Sequence, residues 1–326
     1  MTLLKPASAI PFLLAVCVNA LAAPPRLDSE SVRSGSAKTR VVKDDGADLV
    51  IFYGGEQEGE LGTCGCDGHQ RGSMARVHGY LKTVAKADDA PPHLLLNAGA
   101  WLSNTIGNTT DLRLDARAAN LRMTEAVELA GWDVLNVGFR DMPWFREAPI
   151  PSRAVSANVR PTSEGGPSTY EVVTVGDFKV AVTGVSGEGM LFLQPDDYAY
   201  GDPVASVEAL LPEMRKEADL IVALGYGLGK AVSDLTTLDI DILIEAGEYK
   251  EQHEPVLEHG TLWVRSRWRT ERLGELRLFI DNGEITAAVD RMVDMDDEIP
   301  STPALRKLER KARVEIDRAL KEAFGS

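Results

Sequence analysis

Two cysteines one glycine apart, with a histidine three positions on, form the most reactive-looking stretch of the chain: "EGELGTCGCDGHQRG", residues 58–72. Three chemistries compete for Cys64, Cys66 and His69. A Cys64–Cys66 disulfide would close a small strained ring, and strained disulfides are the more easily reduced ones. Two thiolates and an imidazole would instead give a soft S₂N ligand set suited to copper(I) or zinc. His78, on the helix expected to follow, is a candidate fourth ligand. The third reading is structural, a pinned tight turn, which Gly65 and Gly68 also favour. Covalent haem attachment is excluded by spacing, because the pattern is not C-x-x-C-H.

The compartment sharpens these choices. The chain has 326 residues and one further cysteine, Cys17, inside the apolar N-terminal run "AIPFLLAVCV". Lys5, that run and the small-x-small triplet Ala20–Leu21–Ala22 read as a signal peptide cleaved near Ala22. Val16 stands where a lipoprotein signal needs a small residue. No later apolar run is long enough to span a membrane, so the mature chain is expected to be exported, periplasmic or secreted, with its remaining cysteines under oxidising conditions. The formal net charge of −15 argues against nucleic acid as a partner, since binders carry a basic stripe.

The elements that must position the cysteines follow an alternating pattern. Residues 23–46 are rich in Pro, Ser, Lys, Arg and Asp without apolar periodicity and read as a flexible leader. "ADLVIFYGG" is then a buried strand ending at paired glycines, and "SMARVHGYLKTVAKA" a helix, so the CGC lies between first core strand and first core helix. "PPHLLLNAGA", "WDVLNVG", "DLIVALG" and "DIDILIEAG" are further buried strands. "DARAANLRMTEAVELAG" is a helix closed by Gly131. "DPVASVEALLPEMRKEA" is a helix with Asp202 as cap and Pro203 in its first turn. "TLWVRSRW" is a strand. If it continues, Arg265, Arg267 and Arg269 share one face, with Arg272 nearby, either as a solvated edge or as a basic surface for an anion or haem propionates. The tail repeats Leu305, Leu308, Ala312, Ile316, Ala319 and Ala323 at helical spacing and reads as an amphipathic helix docked on the domain.

In order and spacing, these segments resemble the calcineurin-like metallophosphoesterases, in their exported 5′-nucleotidase and UDP-sugar hydrolase branch. The resemblance runs from about Ala47 to Asp290. It rests on "PPHLLLNAGAWLSN", "AVELAGWDVLNVGFRDM", "VSANV", "VGDFKVAVTGVSG", "EADLIVALGYG", "DIDILIEAGEY" and "ERLGELRL". It implies an α/β fold, a layered α/β/β/α sandwich with two mixed sheets. The expected organisation is a signal peptide over 1–22, a leader over 23–46, a metallophosphoesterase-like domain over 47–295 and a C-terminal helix over 296–326. With 36 residues after Asp290, the base-binding domain of full-length relatives is not expected here. "LGYGLGK" is explained as a strand end, since it fails the phosphate-loop spacing.

The resemblance also implies a di-metal centre, two ions about 3.5–4 Å apart clamping the attacking and leaving oxygens. The matching positions here do not supply it. Glu56 and Glu58 stand in the first ligand loop, Ala100 replaces the bridging aspartate, and Phe139 and Arg140 replace an Asn-His pair. Tyr226 replaces the next histidine, and Gly247 and Tyr249 the final two. A di-metal centre is therefore not expected. Glu56, Glu58, Asp141 and Glu248 are the remaining carboxylates, able in principle to hold a hard cation such as calcium, or else solvated and partly paired with Arg140. A subset of exported phosphoesterase-like proteins carries CGC at this position, which the resemblance associates with bacteria rich in multihaem c-type cytochromes. The resulting expectation is a non-hydrolytic member working through the CGC loop, or as a subunit beside another exported protein such as a multihaem c-type cytochrome, in electron transfer or metal handling. The alternative is a hydrolase with an altered carboxylate-rich metal site.

Overall fold

The computed structural model describes residues 25–32, 45–63, 70–84, 90–105, 112–162, 165–187, 198–247, 254–266 and 268–325. Cys64, Cys66, His69, Glu248, Tyr249, Arg267 and the signal-peptide segment lie outside them.

Short apolar runs that are too brief for helices become strands buried on both faces. Strand β2 (Leu49–Gly54) is buried at every position. Leu49, Ile51 and Tyr53 face one core, while Val50 and Phe52 face another. With β1 (Arg26–Val32), β3 (His93–Asn97), β4 (Val134–Asn136), β5 (Ala154–Val155), β14 (Arg272–Asp281) and β15 (Glu284–Asp294) it builds a seven-stranded mixed sheet, ordered β1-β15-β14-β2-β3-β4-β5. A six-stranded mixed sheet, ordered β12-β13-β11-β10-β8-β7, is formed by β7 (Tyr170–Val175), β8 (Phe178–Ser186), β10 (Leu220–Tyr226), β11 (Ile242–Ala246), β12 (Val256–Glu258) and β13 (Thr261–Arg265). The remaining pair is β6 (Val159–Pro161) with β9 (Tyr198–Tyr200).

The two large sheets pack face to face over Ile51, Tyr53, Leu96, Val182, Leu224, Ile244 and Leu276. Helices α1 (Met74–Val84), α2 (Leu114–Ala130) and α6 (Pro303–Phe324) cover the outer face of the larger sheet. Helices α3 (Pro203–Glu208), α4 (Leu211–Glu217) and α5 (Ala231–Leu235) cover that of the smaller one. The result is the α/β/β/α layering expected from the sequence. Helix α2 ends at Gly131, whose φ of 74° and N–H bonds to Val127 and Glu128 carbonyls match the predicted stop. In α6, Leu305, Leu308, Ala312 and Ala319 are buried and Ile316 packs against the same core, whereas Ala323 is exposed. Arg122 on α2 reaches Glu315 on α6 at 2.6 Å.

Three local expectations are corrected. Part of the supposed leader, residues 26–32, is an edge strand pairing in parallel with β15. Edge pairing satisfies backbone groups and requires no apolar alternation, so the composition gave no strand signal. The predicted single helix over 202–218 is two, α3 and α4. Asp202 caps the first, accepting from the Ala205 N–H at 2.8 Å. The break precedes Pro212, whose ring removes a donor and crowds the carbonyl one turn back. Finally, "TLWVRSRW" does not continue as a strand. β13 ends at Arg265, lies inside its sheet between β12 and β11, and is followed by a turn with Arg269 at φ 51°. Among the described residues the arginines are paired separately rather than on one shared basic face: Arg265 with Glu245 at 2.8 Å, Arg269 with Glu60 at 2.8 Å and Arg272 with Asp294 at 2.6 Å.

Candidate functional site

Parallel strands deliver their following loops to one end of a sheet, where ligand sites of layered α/β folds collect. Here β2, β3 and β4 of the large sheet and β10 and β11 of the small one do so together. The loop after β2 (Glu56, Gln57, Glu58) runs alongside the loop after β3. Glu56 N–H donates to the Gly99 carbonyl and Glu58 N–H to the Ala100 carbonyl, each at 2.9 Å. Glu56, Glu58 and Ala100 all hold positive φ, at 57°, 51° and 55°. Left-handed backbone costs an L-residue roughly 1–2 kcal/mol, and such strain concentrates at functional loops.

Arg140, from the loop after β4, fills the centre. Its Nη1 lies 2.7 Å from Glu58 Oε1 and donates to the Tyr226 hydroxyl at 3.3 Å; its Nη2 donates to Asn104 Oδ1 at 3.0 Å. Burial disfavours the guanidinium charge, but Tyr226, Glu58 and Asp141 outweigh that and raise its pKa. Tyr226, only 4% exposed, is pushed up to about 12 by burial against the pull of Arg140. The Phe139 ring packs on Tyr226 with centroids 5.5 Å apart. Gly247 has φ of 95°, and a Cβ there would fall 2.9 Å from the Tyr226 ring, so only glycine closes this wall.

Of the four carboxylates, Glu58 pairs with Arg140 as one sequence reading expected, Glu56 and Asp141 are buried rather than solvated, and Glu248 lies outside the described residues. Asp141 is fully buried. Its oxygens accept from the N–H groups of Ala100 at 3.1 Å, Gly138 at 3.0 Å and Leu102 at 3.0 Å. Burial outweighs those bonds and lifts its pKa to about 7. Glu56 is 6% exposed and raised by burial, opposed by the Gly247 N–H and reinforced by Glu58. Glu56, Glu58 and Asp141 thus do gather around Arg140, as the carboxylate reading requires. They do not fit a di-metal centre: Asp141 is spent on backbone donors, Glu58 on a guanidinium, and Ala100, Phe139 and Gly247 offer no ligand atom. Among the described residues no group of three His, Cys, Asp or Glu side chains is placed to hold a metal ion.

Cys64, Cys66 and His69 lie outside the described residues; the described residues on either side of them are joined to each other. Thr63 and Gly72 form an antiparallel bridge. Arg76 Nη1, from the buried side of α1, donates to the carbonyls of Gln70 at 2.6 Å, Gly72 at 3.3 Å and Met295 at 3.1 Å. The described chain on both sides of residues 64–69 is thus clamped. The turn at Arg269–Thr270 links that clamp to the Arg140 pocket: Thr270 Oγ1 accepts from the Ser73 N–H at 3.1 Å, while Arg269 lies 3.8 Å from Glu58. His78 Nδ1 meets Thr302 Oγ1 at 3.2 Å. His93 contacts the Pro91 carbonyl and His259 contacts Thr236.

Sequence reasoning missed three members of the site: Asn104, Arg269 and Asn136. Asn136 is fully buried, and its Nδ2 lies 2.9 Å from the Ala98 carbonyl, 3.0 Å from Val185 and 3.2 Å from Leu224, bridging both large sheets. An asparagine inside the apolar run "DVLNVG" was the available signal, since buried amides persist only when bonded.

No protein-family model matches the chain, and no curated protein matches it in sequence. Solved structures do. The 5′-nucleotidase precursor of Thermus thermophilus superposes with a TM-score of 0.63 at 18% identity, over 84% of this chain and 59% of its own. The chain has the metallophosphoesterase fold. The calcineurin-like phosphoesterase YfkN of Bacillus subtilis aligns at TM-score 0.62 and 16% identity, over 84% of this chain and 99% of that one. The sulfate thiohydrolase SoxB of Thermus thermophilus aligns at 0.66 and 13%, over 83% of this chain and 61% of its own. The chain thus spans about three-fifths of the length of the Thermus structures. Within the metallophosphoesterase fold, the Arg140 pocket occupies the strand ends where that fold class gathers its loops.

Proposed function

We propose that this chain is an exported, non-hydrolytic protein of metallophosphoesterase fold, whose working chemistry resides in the CGC loop as a redox couple or a copper or zinc site. It serves there as a component of an electron-transfer or metal-handling assembly, with another exported protein, such as a multihaem c-type cytochrome, as partner. One observation carries the reading: the Arg140 guanidinium, 2.7 Å from Glu58 and 3.3 Å from the Tyr226 hydroxyl, sits among the residues that would have to ligate cations. A fixed positive charge there opposes a second one.

The test is intact mass and metal content of the mature protein purified from its export compartment. A mass two hydrogens light without metal supports the redox form. Stoichiometric copper or zinc, lost in Cys64→Ser, supports the metal form. Free thiols with no metal under either condition reject the loop reading.

One rival rests on Glu56, whose carboxyl is buried and raised by that burial: a hydrolase using a cation held at this carboxylate. Phosphoester turnover with manganese, zinc or calcium that disappears in Glu56→Ala would establish it and displace the first reading.

A further inference from the structure

A cleft of about 460 Å³ opens between α6 and the feet of the CGC loop. Its size is that of a small-molecule pocket. One wall is helical and carries Arg306, Arg310 and Arg313, spaced so that all three face the same side. The opposite wall offers the backbone of Gly62 and the polar side chains of Thr63 and Gln70. Leu61, Ala312 and Ile316 supply an apolar floor.

The described lining carries Arg306, Arg310 and Arg313 together with Glu60, Glu309 and Asp317, and the two sets differ in how they are engaged. No ion pair or hydrogen bond joins the side chains of Arg306, Arg310 or Arg313 to any described residue, whereas the carboxylates beside them are engaged elsewhere. Glu309 accepts from the Ser73 hydroxyl and from the Ala75 N–H at 3.1 Å, holding the start of α1. Glu60 pairs with Arg269 at 2.8 Å. Among the described lining carboxylates, Asp317, at the far end of the wall, is the one with no ion pair or side-chain hydrogen bond to a described residue. Like charges one helical turn apart repel by a few tenths of a kcal/mol per pair. Here Glu309 keeps its charge beside them, but its carboxylate is turned to the start of α1 rather than paired with a guanidinium.

We propose that this cleft binds a small organic polyanion, two or more carboxylate or phosphate groups on an apolar body. The guanidinium forks take the anionic groups, and the floor takes the carbon skeleton. The assignment does not depend on the CGC reading, because none of the wall side chains belongs to Cys64, Cys66 or His69.

The experiment is calorimetric titration of the mature chain with citrate and, separately, pyrophosphate, repeated at raised sodium chloride. Saturable binding of one molecule per chain to at least one probe is expected, weakening with salt. Changing Arg306, Arg310 and Arg313 together to Gln should weaken it by about tenfold or more, ~1.4 kcal/mol. These side chains are exposed, so the variant should keep the wild-type melting curve. The two probes separate a carboxylate from a phosphate ligand. The Cys64→Ser/Cys66→Ser variant should bind unchanged, which separates failure of this site from failure of the loop chemistry. No saturable binding to either probe, or equal affinity in the triple variant, overturns the proposal. So does binding of a polyglutamate peptide when both small probes fail, which would make the cleft a protein-docking surface.

Discussion

Arg140 meets an anion, a phenol and an amide with one planar fork, a geometry that lysine cannot reproduce. Arg140→Met should therefore lower stability by ~1–2 kcal/mol, discounted for its partial exposure. Arg140→Lys should recover only part of that, as read by denaturant midpoints. Equal midpoints for the three proteins would remove the pocket's structural role. A second buried acid makes a pH prediction. Asp290 is 3% exposed, accepts from the Tyr53 hydroxyl at 2.8 Å and is raised by burial, with Glu275 adding repulsion, from 3.8 to about 7. The folded state thus holds a proton that the unfolded chain releases near pH 4. Its contribution is complete below that pH and is lost as pH rises to about 7. Asp290→Asn keeps an acceptor for Tyr53 without titrating. Its stability should fall less than wild type between pH 4 and 7, by on the order of 1 kcal/mol or more. Parallel curves would contradict the assignment.

At the scale of elements, α1 is tied to the segment leading into α6. A Cβ at Gly79 would lie 1.6 Å from the Pro300 carbonyl oxygen, which is backbone and cannot swing aside. Gly79→Ala should cost ~2 kcal/mol or more despite alanine's better helix propensity, because the contact must be prised open. A melting temperature at or above wild type would show that the segment gives way freely. The core strands were legible because buried runs such as "LVIFY" and "LIVALG" have a composition no surface tolerates. Gly131 and Asp202 were legible because caps are local chemistry. The edge strand at 26–32 was not, since its pairing lies in the backbone and its partner is more than 250 residues away. The split between α3 and α4 was readable from Pro212, but the apolar pattern running across it read as one helix.

Across the whole molecule, residue positions in the Arg140 pocket were legible through the resemblance, while their state was not. Sequence placed Glu56, Glu58, Arg140 and Asp141 at strand ends. That Asp141 is sealed beneath three N–H donors, and that Asn104 and Arg269 complete the network, depends on loops separated by tens to hundreds of residues. Helix α6 is part of this whole, covering Val77, Met123 and Ala126 with Leu305, Leu308 and Ala312. A chain ending at Thr302 should expose that core and lose most of its soluble yield, each buried leucine removed with the helix forfeiting about 1.5–3 kcal/mol. Full solubility with an unchanged far-ultraviolet spectrum would show α6 to be dispensable.

The single carboxamide of Asn136 has a thermodynamic consequence. Its Nδ2 is shared by carbonyls at the ends of β3, β8 and β10, which belong to different sheets. Neither sheet can come apart without stranding a buried oxygen in the other. The two halves are therefore one cooperative unit, and calorimetry should show a single heat-absorption peak whose van't Hoff and measured enthalpies agree. In Asn136→Leu, where the shared donor is gone and three buried carbonyls lose it, the peak should move to lower temperature, and an unchanged melting temperature would remove this role.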